Sequence, residues 1–241
     1  MIEKVEGIII SEVAYGDTSK IVNIFTREHG IIGVIAKGAK SMKSRLRAVT
    51  TKFTYAYFHV YYKKDKLSLL KDVDIIDSLT NIKTDLKLIG YMSYVTELAT
   101  QVYKQNSDKV IFDLYVEIVK KLNEGLEPIV LSNILEIKYL DYLGISLNLN
   151  SCINCGNKKD IVTIDPDQGG YVCKNCYRGE RIVPLAIIKL LRMYYLVDIK
   201  TITSLNLKDE NIEQVNYFLT KYYERYTGLY LKSKDFLEQV K

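Results

Sequence analysis

The sequence has no tryptophan, three prolines, two histidines and four cysteines among its 241 residues. Each shortage closes off a class of chemistry. His29 and His59 have no nucleophile or carboxylate partner at an interpretable spacing, so acid–base or nucleophilic catalysis built on histidine has no foundation. There is no Gly-x-x-x-x-Gly-Lys phosphate loop and no paired-carboxylate motif for metal-assisted cleavage. The deaminase pattern also fails, because no His-x-Glu occurs and neither cysteine pair follows a proline. A non-enzymatic protein is therefore expected. No apolar run reaches membrane-spanning length, and the opening Met1-Ile2-Glu3-Lys4 has no signal-peptide pattern. The expected compartment is the reducing cytosol, where thiols stay free.

Acidic residues are missing from one long stretch. Between Glu28 and Asp65 there is none, while eight Lys or Arg residues occur. The net charge of +5 says little by comparison; segregation of this kind points to an anionic partner. The densest part is residues 37–47, where Lys37, Lys40, Lys43, Arg45 and Arg47 recur every two or three positions, with Lys52 shortly after. Gly38, Ser41 and Ser44 suggest a supple backbone. Next to an aromatic strand, such a loop suits single-stranded nucleic acid, cations following phosphates and rings offering stacking surface. An ordinary solvated loop is the plainer alternative. An RNA-binding or ribosome-associated module would use the same features as a DNA-binding one.

The four cysteines form two Cys-x-x-Cys pairs, Cys152/Cys155 and Cys173/Cys176. This spacing fits one structural, tetrahedral four-thiolate zinc per chain, held in a ribbon over about 150–180 with a small hairpin between the pairs. A thioredoxin-like site would need one pair at a strand–helix junction. A catalytic zinc would usually keep an open position and often use histidine. Asp165 and Asp167 flank Pro166 in the intervening loop and read as turn formers.

Five short β-rich segments, 4–14, 20–26, 31–37, 50–62 and 67–76, suggest a small closed barrel. Strand count leaves an OB-fold and an SH3-like barrel both open. In the fourth segment Phe53, Tyr55 and Tyr57 alternate with Ala56, Phe58 and Val60, so one set must be core. From about Ile82 the apolar period becomes helical: Leu88 to Val102, Ile111 to Leu122, a helix from Pro128 to near Gly144, another after Pro184, and a last one ending before Gly228. The 20 tyrosines can bury ring surface while keeping a polar tip satisfied. The fold class read here is α+β: a barrel over 1–79, then a helical domain over 80–241 into which the ribbon is inserted.

Several blocks, taken together and in order, resemble the bacterial RecO family of DNA repair and recombination mediators along nearly the whole chain. They are Gly7-Ile8-Ile9-Ile10 with Tyr15-Gly16-Asp17, Phe25-Thr26-Arg27-Glu28-His29-Gly30, Ala36-Lys37-Gly38-Ala39, Lys43-Ser44-Arg45-Leu46, Tyr139-Leu140-Asp141-Tyr142-Leu143-Gly144, and Gly169-Gly170-Tyr171-Val172-Cys173. The resemblance implies an N-terminal five-stranded OB-fold and a zinc-bearing helical domain. It also implies binding of single- and double-stranded DNA, annealing of complementary strands, and partnership with RecR in helping RecA replace single-stranded DNA-binding protein, in the nucleoid-associated cytoplasm. Lys174, Arg178 and Arg181 in the ribbon would be auxiliary phosphate contacts. The chain departs from many members at Ser41-Met42, where they carry further basic residues.

Overall fold

A computed structural model describes residues 1–239 and divides into two compact units, Met1–Val116 and Glu117–Gln239. The first unit opens with strands β1 (Glu3–Tyr15), β2 (Ser19–Thr26) and β3 (Gly30–Ala36). A one-turn helix α1 (Leu46–Val49) follows, then β4 (Tyr55–Tyr61) and β5 (Ser68–Asp77). The strands close into a barrel in the order β1-β2-β3-β5-β4, with β4 returning to pair with β1. All pairings are antiparallel except β3 with β5, where Val34 faces Ser68 and Ile35 faces Leu69. This five-stranded Greek-key closure is the OB-fold. Alternation along the strands fills its interior with Val22 and Ile24, Ile32 and Val34, and Ala56, Phe58 and Val60.

The expected strand over 50–62 is shorter, because Phe53 breaks the period. It sits at φ 65, in the left-handed region, with its N–H donating to the Ile9 carbonyl at 2.8 Å while the Ile9 N–H donates to the Thr54 carbonyl at 3.0 Å. β1 shifts register against β2 between Ile9 and Ser11, at this same place. Residues 50–54 therefore form a turn tied to a β-bulge, and Phe53 does not share a strand face with Tyr57.

Beyond the barrel the first unit continues through α2 (Thr80–Thr84), α3 (Leu86–Gln105) and the first half of α4 (Lys109–Asn123). The Asp85 carboxylate caps α3 by accepting from Leu88 N–H at 3.1 Å. Phe25 at the end of β2 is fully buried, its ring 5.2 Å from those of Tyr103 and Phe112 and 5.7 Å from that of Tyr115. Two residues on, the Arg27 guanidinium grips Asp113 in a fork at 2.7 and 3.0 Å, and this hydrogen-bonded pairing raises its pKa further.

Gly30 shows how tightly β3 approaches α3. It lies at φ +65, and a Cβ there would fall 2.3 Å from Tyr103 Cε1. Gly16 has a similar φ of +60 with nothing within 4 Å. Gly16→Ala should therefore cost only the backbone strain, about 1 kcal/mol, and Gly30→Ala strain plus overpacking, about 2–4 kcal/mol. Urea denaturation of the pair would test this; equal losses would show that Tyr103 can yield.

The second unit holds the end of α4, then α5 (Pro128–Tyr142), β6 (Asn148–Cys152), β7 (Ile161–Asp165), β8 (Gly170–Cys173), α6 (Leu185–Leu196), a 3₁₀ turn (Ile199–Thr201), α7 (Asp209–Tyr226) and α8 (Lys232–Gln239). Helix α5 is buried around most of its circumference and packs against α6 and α7. Three tyrosines meet carbonyls: Tyr223 Oη donates to Glu136 O at 2.7 Å, Tyr222 Oη to Ile145 O at 3.0 Å and Tyr171 Oη to Ile188 O at 2.9 Å, whereas the buried Tyr194 hydroxyl has no partner among the described residues. A buried tyrosine, unlike phenylalanine, is favoured where its hydroxyl finds such an acceptor. Helix α7 ends at Tyr226 as expected, but it is not the last; α8 follows, too short for its apolar period to stand out. Among the described residues no helix is long and apolar enough to cross a membrane.

Candidate functional site

The cysteine pairs lie at the ends of strands. Strands β6, β8 and β7 form a three-stranded sheet in that order, β6 parallel and β7 antiparallel to β8. Cys152 ends β6 and Cys173 ends β8, and each opens a tight knuckle that carries its second cysteine. In the first knuckle Gly156 N–H donates to Cys152 O at 2.8 Å and Cys152 N–H to Asn157 O at 2.7 Å; in the second Cys176 N–H donates to Cys173 O at 3.0 Å. The four sulfurs lie within 4.8 Å of one another, and Cys155 and Cys173 are 3.6 Å apart. Metal–sulfur bonds of about 2.3 Å in a tetrahedron place sulfurs roughly 3.8 Å apart, so the arrangement fits a metal ion held by four thiolates.

As bare thiols these groups do not ionise together. Hydrogen bonding from Cys155, then burial, pushes Cys176 up to about 12. At Cys152 burial is the largest single influence, but amides of Cys173, Asn154 and Cys155 together outweigh it and bring the thiol down to about 6. A bound cation would remove this conflict. The expected hairpin is β7–β8. Its turn is built as expected on Asp165, whose carboxylate accepts from the Asp167 and Gln168 N–H groups at 2.8 and 3.3 Å.

The basic segment lies between β3 and β4 and is not supple. Ala39 is fully buried in the barrel core, Lys40 N–H donates to Thr18 O at 2.7 Å, and Gly38 N–H donates to Ser19 Oγ at 3.3 Å. Successive turns then carry the chain into α1, with Ser41, Ser44 and Arg47 N–H donating to Gly38, Ser41 and Ser44 carbonyls at 3.0, 3.1 and 3.2 Å. Lys37, Lys40, Lys43, Arg45, Arg47 and Lys52 are all exposed. Among the described residues none of the six is in an ion pair. The Lys52 ammonium leans over the Phe53 ring at 4.5 Å, and the accompanying desolvation lowers its pKa.

The rings expected to stack bases are placed less favourably. Phe53 and Phe58 are buried. Tyr57 is exposed, but it sits under Lys4 at 4.1 Å and pairs across the sheet with Asp74 and Glu6, a face that carries acids. Lys174, Arg178 and Arg181 are exposed in the second unit.

Other groups acquire partners that sequence spacing did not reveal. His29 Nε2 lies 2.9 Å from Glu3 and its ring stacks on Tyr62 at 3.9 Å; His59 Nε2 lies 2.8 Å from Asp74. Both histidines thus have carboxylates, supplied by neighbouring strands. The hydrogen bond from His59 holds the Asp74 carboxyl below its ordinary range. Neither pair has a nucleophile beside it among the contacts described. Asp167 does more than form a turn: it pairs with Arg225 at 2.9 Å and accepts from Tyr226 Oη, fastening the hairpin to α7.

Comparison with known proteins accounts for both halves. The family model "Recombination protein O N terminal" matches residues 1–79 and "Recombination protein O C terminal" matches residues 83–235. The protein named DNA repair protein RecO from Halalkalibacterium halodurans is 36% identical over 244 residues, covering 100% of this chain and 96% of its own. Its namesake from Bacillus subtilis is also 36% identical, with coverages of 100% and 95%, and that from Listeria monocytogenes is 34% identical, with 99% and 94%. An OB barrel, a helical unit with four clustered cysteines and full-length similarity lead to one conclusion: this chain belongs to the RecO family of DNA repair proteins.

Proposed function

We propose that the protein is a non-enzymatic recombination mediator that binds single- and double-stranded DNA and anneals complementary strands. With RecR it would help load RecA onto DNA coated by single-stranded DNA-binding protein, in the nucleoid-associated cytoplasm. Residues 1–79 act as the principal DNA-binding domain and residues 80–241 as the helical domain. The observation that carries this reading is the run of exposed cations, without acidic partners, ordered on an OB barrel. Lys37, Lys40, Lys43, Arg45, Arg47 and Lys52 contact phosphates, and Lys174, Arg178 and Arg181 add contacts from the ribbon. Phosphate contacts position a strand without occupying its base edges. A surface of this kind can hold two strands, offset their repulsion and leave their bases free to pair. The metal at Cys152, Cys155, Cys173 and Cys176 is one zinc per chain, with a closed thiolate shell and a structural role.

The test is a salt-dependent titration of the protein against single-stranded DNA, duplex DNA and RNA, beside annealing of strands coated by single-stranded DNA-binding protein. Binding to both DNAs with a steep salt slope, and annealing of coated strands, is expected. Preference for RNA with no annealing would replace this reading by that of an RNA-binding module.

A further inference from the structure

The second unit contains a groove of about 950 Å³ that neither the metal nor the basic loop uses. One wall is α7; the other is the end of β7 with its turn, and the segment 180–187 leading into α6. The volume lies at the upper end of the range for ligand clefts, about 300–1,000 Å³. Tyr217, Phe218, Tyr222 and Tyr226 recur along α7 at helical spacing and face it, with Ile182 and Val183 across from them. Tyr217 is 58% exposed and Ile182 65%, so this apolar surface is open to solvent.

Charge indicates what could cover it. Two of the three lining cations are already neutralised, Arg225 by Asp167 at 2.9 Å and Lys221 by Glu224 at 2.7 Å. The lining carboxylates are not balanced in the same way. Asp165 accepts from turn amides, Glu180 from Arg178 N–H at 2.7 Å, and Glu210 from the neutral Gln214 amide at 3.2 Å. Glu180 is further balanced by the Arg178 charge beside it, whereas among the described residues Glu210 and Glu213 have no cationic partner, against Arg181 on the other side of the balance. The acidic start of α7, at Glu210 and Glu213, beside aromatic faces disfavours acidic peptides on that wall and attracts Lys or Arg, which can also lie over the exposed Tyr217 ring.

We propose that this groove docks a cationic segment of a partner protein, an extended or helical peptide in which Lys or Arg alternates with bulky apolar residues. The apolar side chains lie on Tyr217, Phe218 and Ile182, with the buried Tyr222 beneath them, and the cations reach Glu210 and Glu213. The proposal does not depend on DNA binding by the barrel.

The experiment uses the full chain and three labelled probes followed by fluorescence anisotropy. They are a peptide of about ten residues alternating Lys and Leu, about 34 Å when extended, its twin with Glu for Lys, and oligo-dT. The cationic peptide should bind and the acidic twin should not. The double variant Glu210→Gln/Glu213→Gln, which keeps positive charge away from the first turn of α7, should weaken the cationic peptide several-fold, and Tyr217→Ser a few-fold, with each variant still melting in one cooperative transition within a few degrees of the parent. Hydrogen exchange on the unmodified chain gives a reading that needs no variant: the cationic peptide should protect 180–187 and 209–226. Tighter binding of the acidic twin, protection confined to other segments, or peptide affinity indifferent to both variants would overturn the proposal. So would loss of oligo-dT binding in Tyr217→Ser, which would make the groove a nucleic-acid site.

Discussion

Cys173→Ser is expected to empty the metal site, unfold residues 148–183 and weaken the helical unit, while leaving the barrel intact. The ribbon has little to fold around without its ion. Its buried apolar side chains include Leu149, Ile164 and Val172, far from a self-sufficient core. In small modules of this kind metal-binding free energy appears as folding free energy. The damage should spread through two attachments. Tyr171, 3% exposed, donates its hydroxyl to Ile188 O in α6, and Asp167 is held by Arg225 and Tyr226 of α7. Losing a buried aromatic such as Tyr171 costs about 3–5 kcal/mol; the exposed Asp167–Arg225 pair adds little. The expected result is therefore zinc near one per chain in the parent and near none in the variant. The helical transition should melt several degrees lower, and the β8 amides should exchange freely. Acid should mimic the mutation, because thiols must lose their protons to bind the ion and protons compete with it for the sulfurs. Metal-free protein that melts like the parent would end the structural-zinc assignment.

Testing the barrel by itself calls for a cut different from the one that strand periodicity suggests. Phe25 packs into Tyr103, Phe112 and Tyr115, and Arg27 holds Asp113, so a fragment ending at residue 80 would expose that face. A fragment ending after α4, at residue 123, keeps these contacts and is the better test of whether the barrel folds without zinc.

These contacts also mark where legibility in the sequence ends. The cysteine pairs could be read because two ligands on one knuckle must sit at a short, fixed spacing, and the hairpin between them follows from that. Strands and helices could be read wherever a core face repeats, as in Ala56/Phe58/Val60 or Tyr91/Val95/Leu98. Phe53 could not, since its left-handed backbone depends on a bulge in β1 that brings Ile9 opposite it. Nor could the carboxylates beside His29 and His59, which depend on strand register, nor the fastening of Asp167 to Arg225, 58 positions away. The basic segment was legible in charge but not in order. Its glycine and serines do not loosen it; they form the turns that pin it above Ala39.

Neutralising Lys37, Lys40, Lys43, Arg45 and Arg47 together, each to glutamine, is expected to produce the largest loss of DNA binding of any change considered. Each phosphate contact releases condensed counterions and contributes about 0.9 to the logarithmic salt slope on duplex DNA and about 0.7 on single strands. Five contacts would therefore flatten the slope by up to about 4.5 and 3.5 respectively, with an affinity loss on the order of a hundredfold or more at low salt. The loss should be the same for all sequences, because such contacts do not read bases. Stability should barely change. All five side chains are exposed and, among the described residues, outside ion pairs; most bonds that order the segment run through the backbone of Gly38, Lys40, Ser41 and Ser44 and the side chain of Ser19, and the variant loses only the exposed contacts of Lys40 Nζ with Gly16 O at 3.3 Å and of Arg47 with the Met42 sulfur. Lys52 is left in place because it covers Phe53. The decisive control neutralises Lys63, Lys64, Lys66 and Lys71, which are equally exposed but interspersed with Asp65 and Asp72. If the site is the β3–β4 segment, this control keeps most of the slope. If both variants lose affinity alike, DNA responds only to the overall charge of the chain, and if neither does, the segment is ordinary surface and binding lies elsewhere.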